Sequence, residues 1–271
     1  MEGLHKIKWR GTYGVGDFMQ ALNVCHRYCY DYNLGQVNLE MHWEHDEDYI
    51  YHPKDPETIV ERMTWIHEKY KEPERVLVTH VFNSMEFHYD DVDQKVKRRF
   101  EFDNDRYDPT GAPPNDWVFA EREWIKPEKR IVIWTPHYNK EQPRRWKRWL
   151  TEDDWSDIIE LLRWDGWVLT ELTYRTPIRA AYEQIQRCKF VVSYDGMWHY
   201  IARNFCKPHL IPSKEGITTY NTPQAYKLKS PEDMKEFFLP ENLDANLKKM
   251  NDKAKLFKDD LIGSINFQRK V

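Results

Sequence analysis

The chain has 271 residues, 40% hydrophobic and 32% charged, which suits one large or two small globular domains. A net charge of −4 and an isoelectric point near 6.3 give no global support for a strongly basic nucleic-acid binder. No apolar run approaches the length of a membrane span and no secretory leader is visible; with the four cysteines Cys25, Cys29, Cys188 and Cys206 forming no Cys-x-x-Cys pair, a reducing cytoplasm and free thiols are expected.

In chain order, His5-Lys-Ile-Lys-Trp9 alternates as a strand does, and a helix is expected from Phe18 to Leu34. Between them stands Gly11-Thr-Tyr-Gly-Val-Gly-Asp17. Glycines permit the tight turn and clear space for a ligand, and Asp17 would meet the positive end of the helix dipole. The alternative is a plain strand-to-helix turn with Asp17 as its N-cap. Gly14 and Gly16 match only part of a dinucleotide fingerprint: Met19 takes the third glycine's place, and Glu40 is the one candidate for the acidic residue that follows. A second strand is expected over Gln36–Met41, a loop over Glu44–Pro56, a helix over Glu57–Tyr70 and a strand over Arg75–Phe82. From Tyr89 to Lys126 the pattern is irregular, with a basic run at Lys95–Arg99 and prolines at 109, 113 and 114.

The second half is regular. Strands are expected at Arg130–Trp134, Gly166–Leu172, Lys189–Ser193 and His209–Pro212. Helices are expected at Glu152–Trp164 behind a Thr151 cap, at Pro177–Arg187 and at Met197–Phe205, with two more, Pro231–Phe238 and Glu241–Leu261, closing the chain. Strand–helix alternation indicates an α/β fold with a parallel sheet under helices. Ligands of such sheets bind beyond the carboxyl ends of the strands. Here those ends lead into Thr135 to Lys140 and Arg144 to Arg148, into Thr173 to Thr176, and into Ser193 to His199. Thr135, Lys140, Arg144 and the amides opening the Met197 helix form a set suited to one anion such as a diphosphate. Asp195 and His199 are also readable as a helix cap and a partly buried histidine.

This order of segments resembles the heptosyltransferase-like glycosyltransferases of the GT-B fold, the family of the ADP-heptose:lipopolysaccharide heptosyltransferases. The resemblance rests on Arg130 to Pro208: Trp146, Gly166-Trp-Val-Leu169, Ala180 to Cys188, Phe190 to His199 and Cys206-Lys-Pro208. Gly14-Val-Gly-Asp17 resembles the family's opening turn. Aligned on Gly196 and His199, Tyr194 stands where the family has aspartate and Asp195 where it has serine or threonine. The resemblance implies two Rossmann-like domains with parallel sheets facing a cleft: an acceptor-side domain over 1–126, a donor domain over 127–230, and helices over 231–271 packing back toward the first. It implies a nucleotide-sugar co-substrate, with no covalently bound cofactor and no metal required. Asp17 would be the catalytic base, Gly14 and Gly16 the acceptor-side turn, and Thr135, Lys140, Arg144, Asp195, Gly196 and His199 the donor site. Phage enzymes of this fold glycosylate hydroxylated bases in DNA. Such an acceptor, in a host cytoplasm, is one expectation, and a saccharide is the other.

Three rivals stand beside it. Asp103-Asn-Asp105 fits the metal-binding string of the GT-A glycosyltransferases. Lys95–Arg99 and Arg144–Arg148, with interleaved tryptophan, fit a nucleic-acid-binding module. Cys25, His26 and Cys29 supply half of a zinc site.

Overall fold

Alternation makes His5–Trp9 a strand, β1, which buries Ile7 and Trp9 on one face and leaves Lys6 and Lys8 on the other. The computed structural model of the chain describes residues 4–10, 14–43, 57–70, 72–84, 100–102, 128–134, 152–173, 175–193, 197–205, 207–212, 225–228 and 230–252. The chain divides into two units, Met1–Arg122 and Glu123–Val271.

In the first unit β1 is followed by α1 (Val15–Asp31), β2 (Val37–His42), α2 (Ile59–Lys69), a 3-10 turn (Pro73–Arg75), β3 (Val76–Val81) and β4 (Phe100–Phe102). The sheet order is β3-β2-β1-β4; β1, β2 and β3 run parallel and β4 is antiparallel to β1. Trp9, Leu39, Met41 and Val76 lie in the core, where Tyr28 of α1 stacks on Phe102 at 5.1 Å between ring centroids. The opposite face is polar. Lys6 pairs with Glu40 at 3.1 Å, Lys8 with Glu101 at 3.6 Å, and Thr79 Oγ1 donates to Asn38 Oδ1 at 2.9 Å. A parallel sheet covered on both faces reads as continuous apolar runs. The alternation of β1 and β2 therefore specifies one dry and one polar face.

Helix boundaries follow from local chemistry. Thr58 and Glu61 form a reciprocal capping box at the start of α2, at 3.0 and 2.7 Å. Helix α1 begins at Val15, three residues before the sequence expectation, because Gly14 is its N-cap. Asp17 is thus the third helical residue and not the cap. At the other end Asn33 takes a left-handed φ of 50°, which lets Leu34 N–H reach Cys29 O at 2.8 Å and closes the helix. The 3-10 turn is anchored by Glu72, whose Oε2 lies 2.5 Å from His26 Nε2, 2.9 Å from Tyr30 Oη and 3.0 Å from Arg75 Nε. That carboxylate holds the buried His26 ring and ties α1 to the start of β3.

The second unit contains β5 (Arg130–Trp134), α3 (Glu152–Trp164), β6 (Val168–Glu171), α4 (Ile178–Arg187), β7 (Phe190–Ser193), α5 (Met197–Asn204), β8 (His209–Pro212), β9 (Ala225–Leu228), α6 (Pro231–Phe238) and a last helix, α7, over 240–252. Its sheet is wholly parallel, in the order β6-β5-β7-β8-β9. Ile131, Ile133, Phe190, Val192 and Leu210 share a core with Ile158, Leu162, Met234, Phe237, Phe238, Leu243 and Leu247. Helices α3, α6 and α7 thus cover one face, and through residue 252 the C-terminal helices commit their buried residues to this unit. The rest of the C-terminal helices expected over 231–271, residues 253–271, lies outside the described residues. Contacts of α4 and α5 with β5, β7 and β8 cover the other face. Gly166 ends α3 with φ 71°, while Gly166 N–H bonds Arg163 O at 3.0 Å and Trp167 N–H bonds Leu162 O at 3.1 Å. This closing motif favours glycine because a Cβ disfavours the left-handed conformation.

The sheets fulfil the expected α/β architecture: two units, each built on parallel pairing with helical crossovers. Strands β4 and β9 are additions to it.

Glu72→Ala should lower stability by about 1–3 kcal/mol, since the buried His26 nitrogen loses its charged acceptor. Urea unfolding measures this, and a loss below about 0.5 kcal/mol would show that the contact is dispensable.

Candidate functional site

Numbered within the second unit, the strand order is 2-1-3-4-5. In this order the direction of winding reverses between the first and third strands, and a crevice opens beyond their carboxyl ends. Those strands are β5 and β7. Their last residues are register partners, Trp134 with Ser193. Thr135 follows directly after β5, and Tyr194-Asp195-Gly196 follows directly after β7 and leads into α5. The sequence candidates for the donor side therefore leave the sheet from the two adjacent strands at the reversal. Thr135, Lys140, Arg144, Asp195 and Gly196 themselves lie outside the described residues, as does Arg144–Arg148. His199 is the third residue of α5.

Behind this edge is a polar pair in an apolar core. Ser193 Oγ and His209 Nε2 are 2.7 Å apart, and each residue is 1% exposed. Burial drives the His209 pKa from 6.5 down to about 3, against a smaller opposing effect of a hydrogen bond to the Ser193 backbone. The imidazole is neutral at any ordinary pH. Sequence inspection missed this pair because the two residues lie 16 apart and meet only through the β7–β8 register.

In the first unit Asp17 lies in the first turn of α1, where an anionic side chain meets the positive end of the helix dipole. Its carboxylate folds back over Gly14: a Cβ built on Gly14 would stand 2.6 Å from Asp17 Oδ2. Gly14 has an ordinary extended backbone, φ −106° and ψ 134°. The backbone there would accept any residue; an added Cβ would meet only the far end of the Asp17 side chain, so a larger residue would make the carboxylate turn from its present position. Gly16 is buried within the helix. At the carboxyl ends of β2 and β3, His42 Nδ1 lies 2.9 Å from Ser84 Oγ and its Nε2 lies 3.4 Å from Glu40 Oε2. Burial works to raise the pKa of Glu40, but hydrogen bonds and charge from Lys6 and His42 outweigh it and leave the pKa lowered. Trp43 Nε1 donates to His80 Nδ1 at 3.1 Å beside them. The alternation of β2 could have placed His42 with Glu40 on the polar face; its partner Ser84, 42 residues away, had no sequence signal.

The rival readings fare differently. Met19 is buried in the core and Glu40 is paired with Lys6, so the residues a dinucleotide site needs are occupied by packing. Burial raises the Cys25 thiol well above its usual range and Cys29 to about 11, His26 Nε2 faces Glu72, and among the described residues no group of three or more His, Cys, Asp or Glu is placed to hold a metal ion. Asp103 and Asp105, which follow β4, and Lys95–Arg99, which precede it, lie outside the described residues. A shallow groove lined by Lys189, Asp244, Leu247 and Lys248 is at the amino end of β7, away from the crevice. Among the described residues no helix is long and apolar enough to cross a membrane.

No family model matches the chain, and no curated protein does. Among solved structures, the bacterial iron-containing dodecameric glycosyltransferase TibC from enterotoxigenic E. coli H10407 aligns over 95% of this chain and 76% of its own, with 10% identity and a TM-score of 0.49. That likeness is too distant to bring its iron, its assembly or its activity to this chain.

Because the unfolded chain protonates His209 near pH 6.5 while the folded protein resists until about 3, stability should fall as pH drops through that window. His209→Gln should flatten this acid-side loss in urea titrations. An unchanged pH dependence would mean that His209 does not contribute to it.

Proposed function

We propose that this protein is a glycosyltransferase that moves a sugar from a nucleotide-sugar donor to an acceptor hydroxyl. The reading is carried by one observation. The strands on either side of the winding reversal, β5 and β7, lead into the two segments whose residues fit a diphosphate. The ordered resemblance to heptosyltransferase-like enzymes supports it, as does the carboxylate in the first turn of α1.

Each unit has its part in the reaction. In the second, Thr135, Lys140 and Arg144 hold the donor diphosphate with the amides near Gly196, while Asp195 and His199 orient the phosphates and sugar. In the first, Asp17 accepts the proton of the acceptor hydroxyl as its oxygen attacks the anomeric carbon. The bond from that carbon to the diphosphate oxygen breaks, and the nucleoside diphosphate departs with the electron pair. Cationic side chains and amides stabilise the charge that develops on it. Gly14 leaves the Asp17 carboxylate its room. The acceptor is a saccharide hydroxyl or a hydroxymethylated base in DNA.

Asp17→Asn should reduce transfer by about 10²-fold or more, as expected for loss of a general base, with nucleotide affinity little changed. Gly14→Ala should also reduce transfer, because the added methyl displaces the carboxylate. Assays with a panel of nucleotide sugars, using saccharides and both plain and hydroxymethylated DNA as acceptors, measure these effects. Full turnover by Asp17→Asn would remove Asp17 from its role, and no transfer to any acceptor would count against the reading as a whole.

A further inference from the structure

We propose that Ser193 and His209 are a positioning pair for the donor end of the second unit, fixing the point at which the chain leaves β7 and turns into α5. The inference rests on the reading of that unit as the donor-binding one.

The register gives the reason. On one side β7 is paired with β5 up to its last residue, Ser193 with Trp134. On the other side the pairing with β8 covers only Val191 with His209 and Val192 with Leu210. Ser193 is therefore held by a rung toward β5, and the described pairing toward β8 stops one residue short of it. The His209 side chain stands on the same face as Val191 and Ser193, because side chains alternate along a strand. It reaches from its own position beside Val191 up to the Ser193 hydroxyl, a rise of about 6–7 Å along the strand. The bond supplies the tie that the ladder lacks at the strand's end.

The setting argues that the tie has a purpose beyond packing. Val132, Val191, Trp198 and Ile201 are buried around this face with exposures of 2% or less. An apolar pair would fill such a place without removing a hydroxyl and an imidazole from water. Satisfied buried polar pairs do what apolar contacts do not: they fix one geometry. Here the fixed geometry is the end of β7, four residues before Met197 opens α5, whose first amides belong to the proposed phosphate site. A shift of about 1 Å at a binding or reacting group is enough to lower turnover substantially.

The test uses the full chain as wild type, Ser193→Ala, His209→Gln, His209→Leu and the double variant Ser193→Ala/His209→Leu. Each is unfolded in urea and titrated calorimetrically with ADP, UDP, GDP and CDP. The wild type should bind at least one of the four. Ser193→Ala and His209→Leu should weaken that Kd about tenfold, the size of one hydrogen bond, while His209→Gln, which keeps a nitrogen near the Nε2 position, stays within about threefold. The double variant leaves neither partner unpaired, so it should recover urea stability yet keep the weakened Kd. If it recovers both, or if the single variants bind as the wild type does, the pair is structural and the inference is wrong while the donor reading stands. Should His209→Leu not fold, Ser193→Ala against His209→Gln decides by the same criterion. A wild type that binds none of the four overturns the donor reading, and the inference falls with it.

Discussion

Insertion of β5 between β6 and β7 is the constraint on which the second unit depends. Both pairings are parallel, so the connections β5–α3–β6 and β6–α4–β7 must each cross over through a helix; they run in opposite directions along the sheet, and right-handed crossovers therefore lie on opposite faces. This is why α3 lies on one face and α4 with α5 on the other, and why Ile131-Val-Ile133 and Phe190-Val-Val192 are buried without alternation. In sheets of this order the same reversal leaves room for a ligand beyond the carboxyl ends of the two strands, and this is where the proposed donor site lies. In the proposed reading packing and function have one origin: the pairing that makes these strands central also makes their carboxyl ends the proposed binding edge.

The first unit solves a different problem with similar parts. Its helices α1 and α2 lie over one sheet face, and the other carries paired charges. Its proposed chemistry lies at the entrance to α1, where the Asp17 carboxylate takes the space beside Gly14. That entrance is steady because the helix is fixed elsewhere, by the Glu72 contacts and by Tyr28 on Phe102. The polar cluster of Glu40, His42 and Ser84 occupies the carboxyl edge of the same sheet.

Much of this architecture was legible in the sequence because its signals are local. The apolar runs of β5 and β7, Pro177 ahead of α4 and Gly166 after α3 each act through near neighbours. Helix α1 was placed three residues late because Gly14-Val-Gly16 reads as turn, whereas burial of Val15 and Gly16 draws both into the helix. Strands β4 and β9 were missed because three or four residues carry too little periodicity, and Phe100-Glu-Phe102 borders a basic run. In the candidate site, Asp17 stood out from its place after the glycines, and the structure puts it in the first turn of α1. Contacts that depend on register were not: Ser193 meets His209, and His42 meets Ser84, only once strands far apart in sequence are paired.

The central claim is that a nucleotide sugar binds at the carboxyl ends of β5 and β7. Amide hydrogen exchange of the full chain, with and without the nucleoside diphosphate of highest affinity, tests it most directly. The account predicts slowed exchange centred on Ile133, Trp134, Val192 and Ser193 and on the opening turn of α5, with the amino ends of the same strands unchanged. Protection confined to the amino ends, or to the first unit alone, would contradict it.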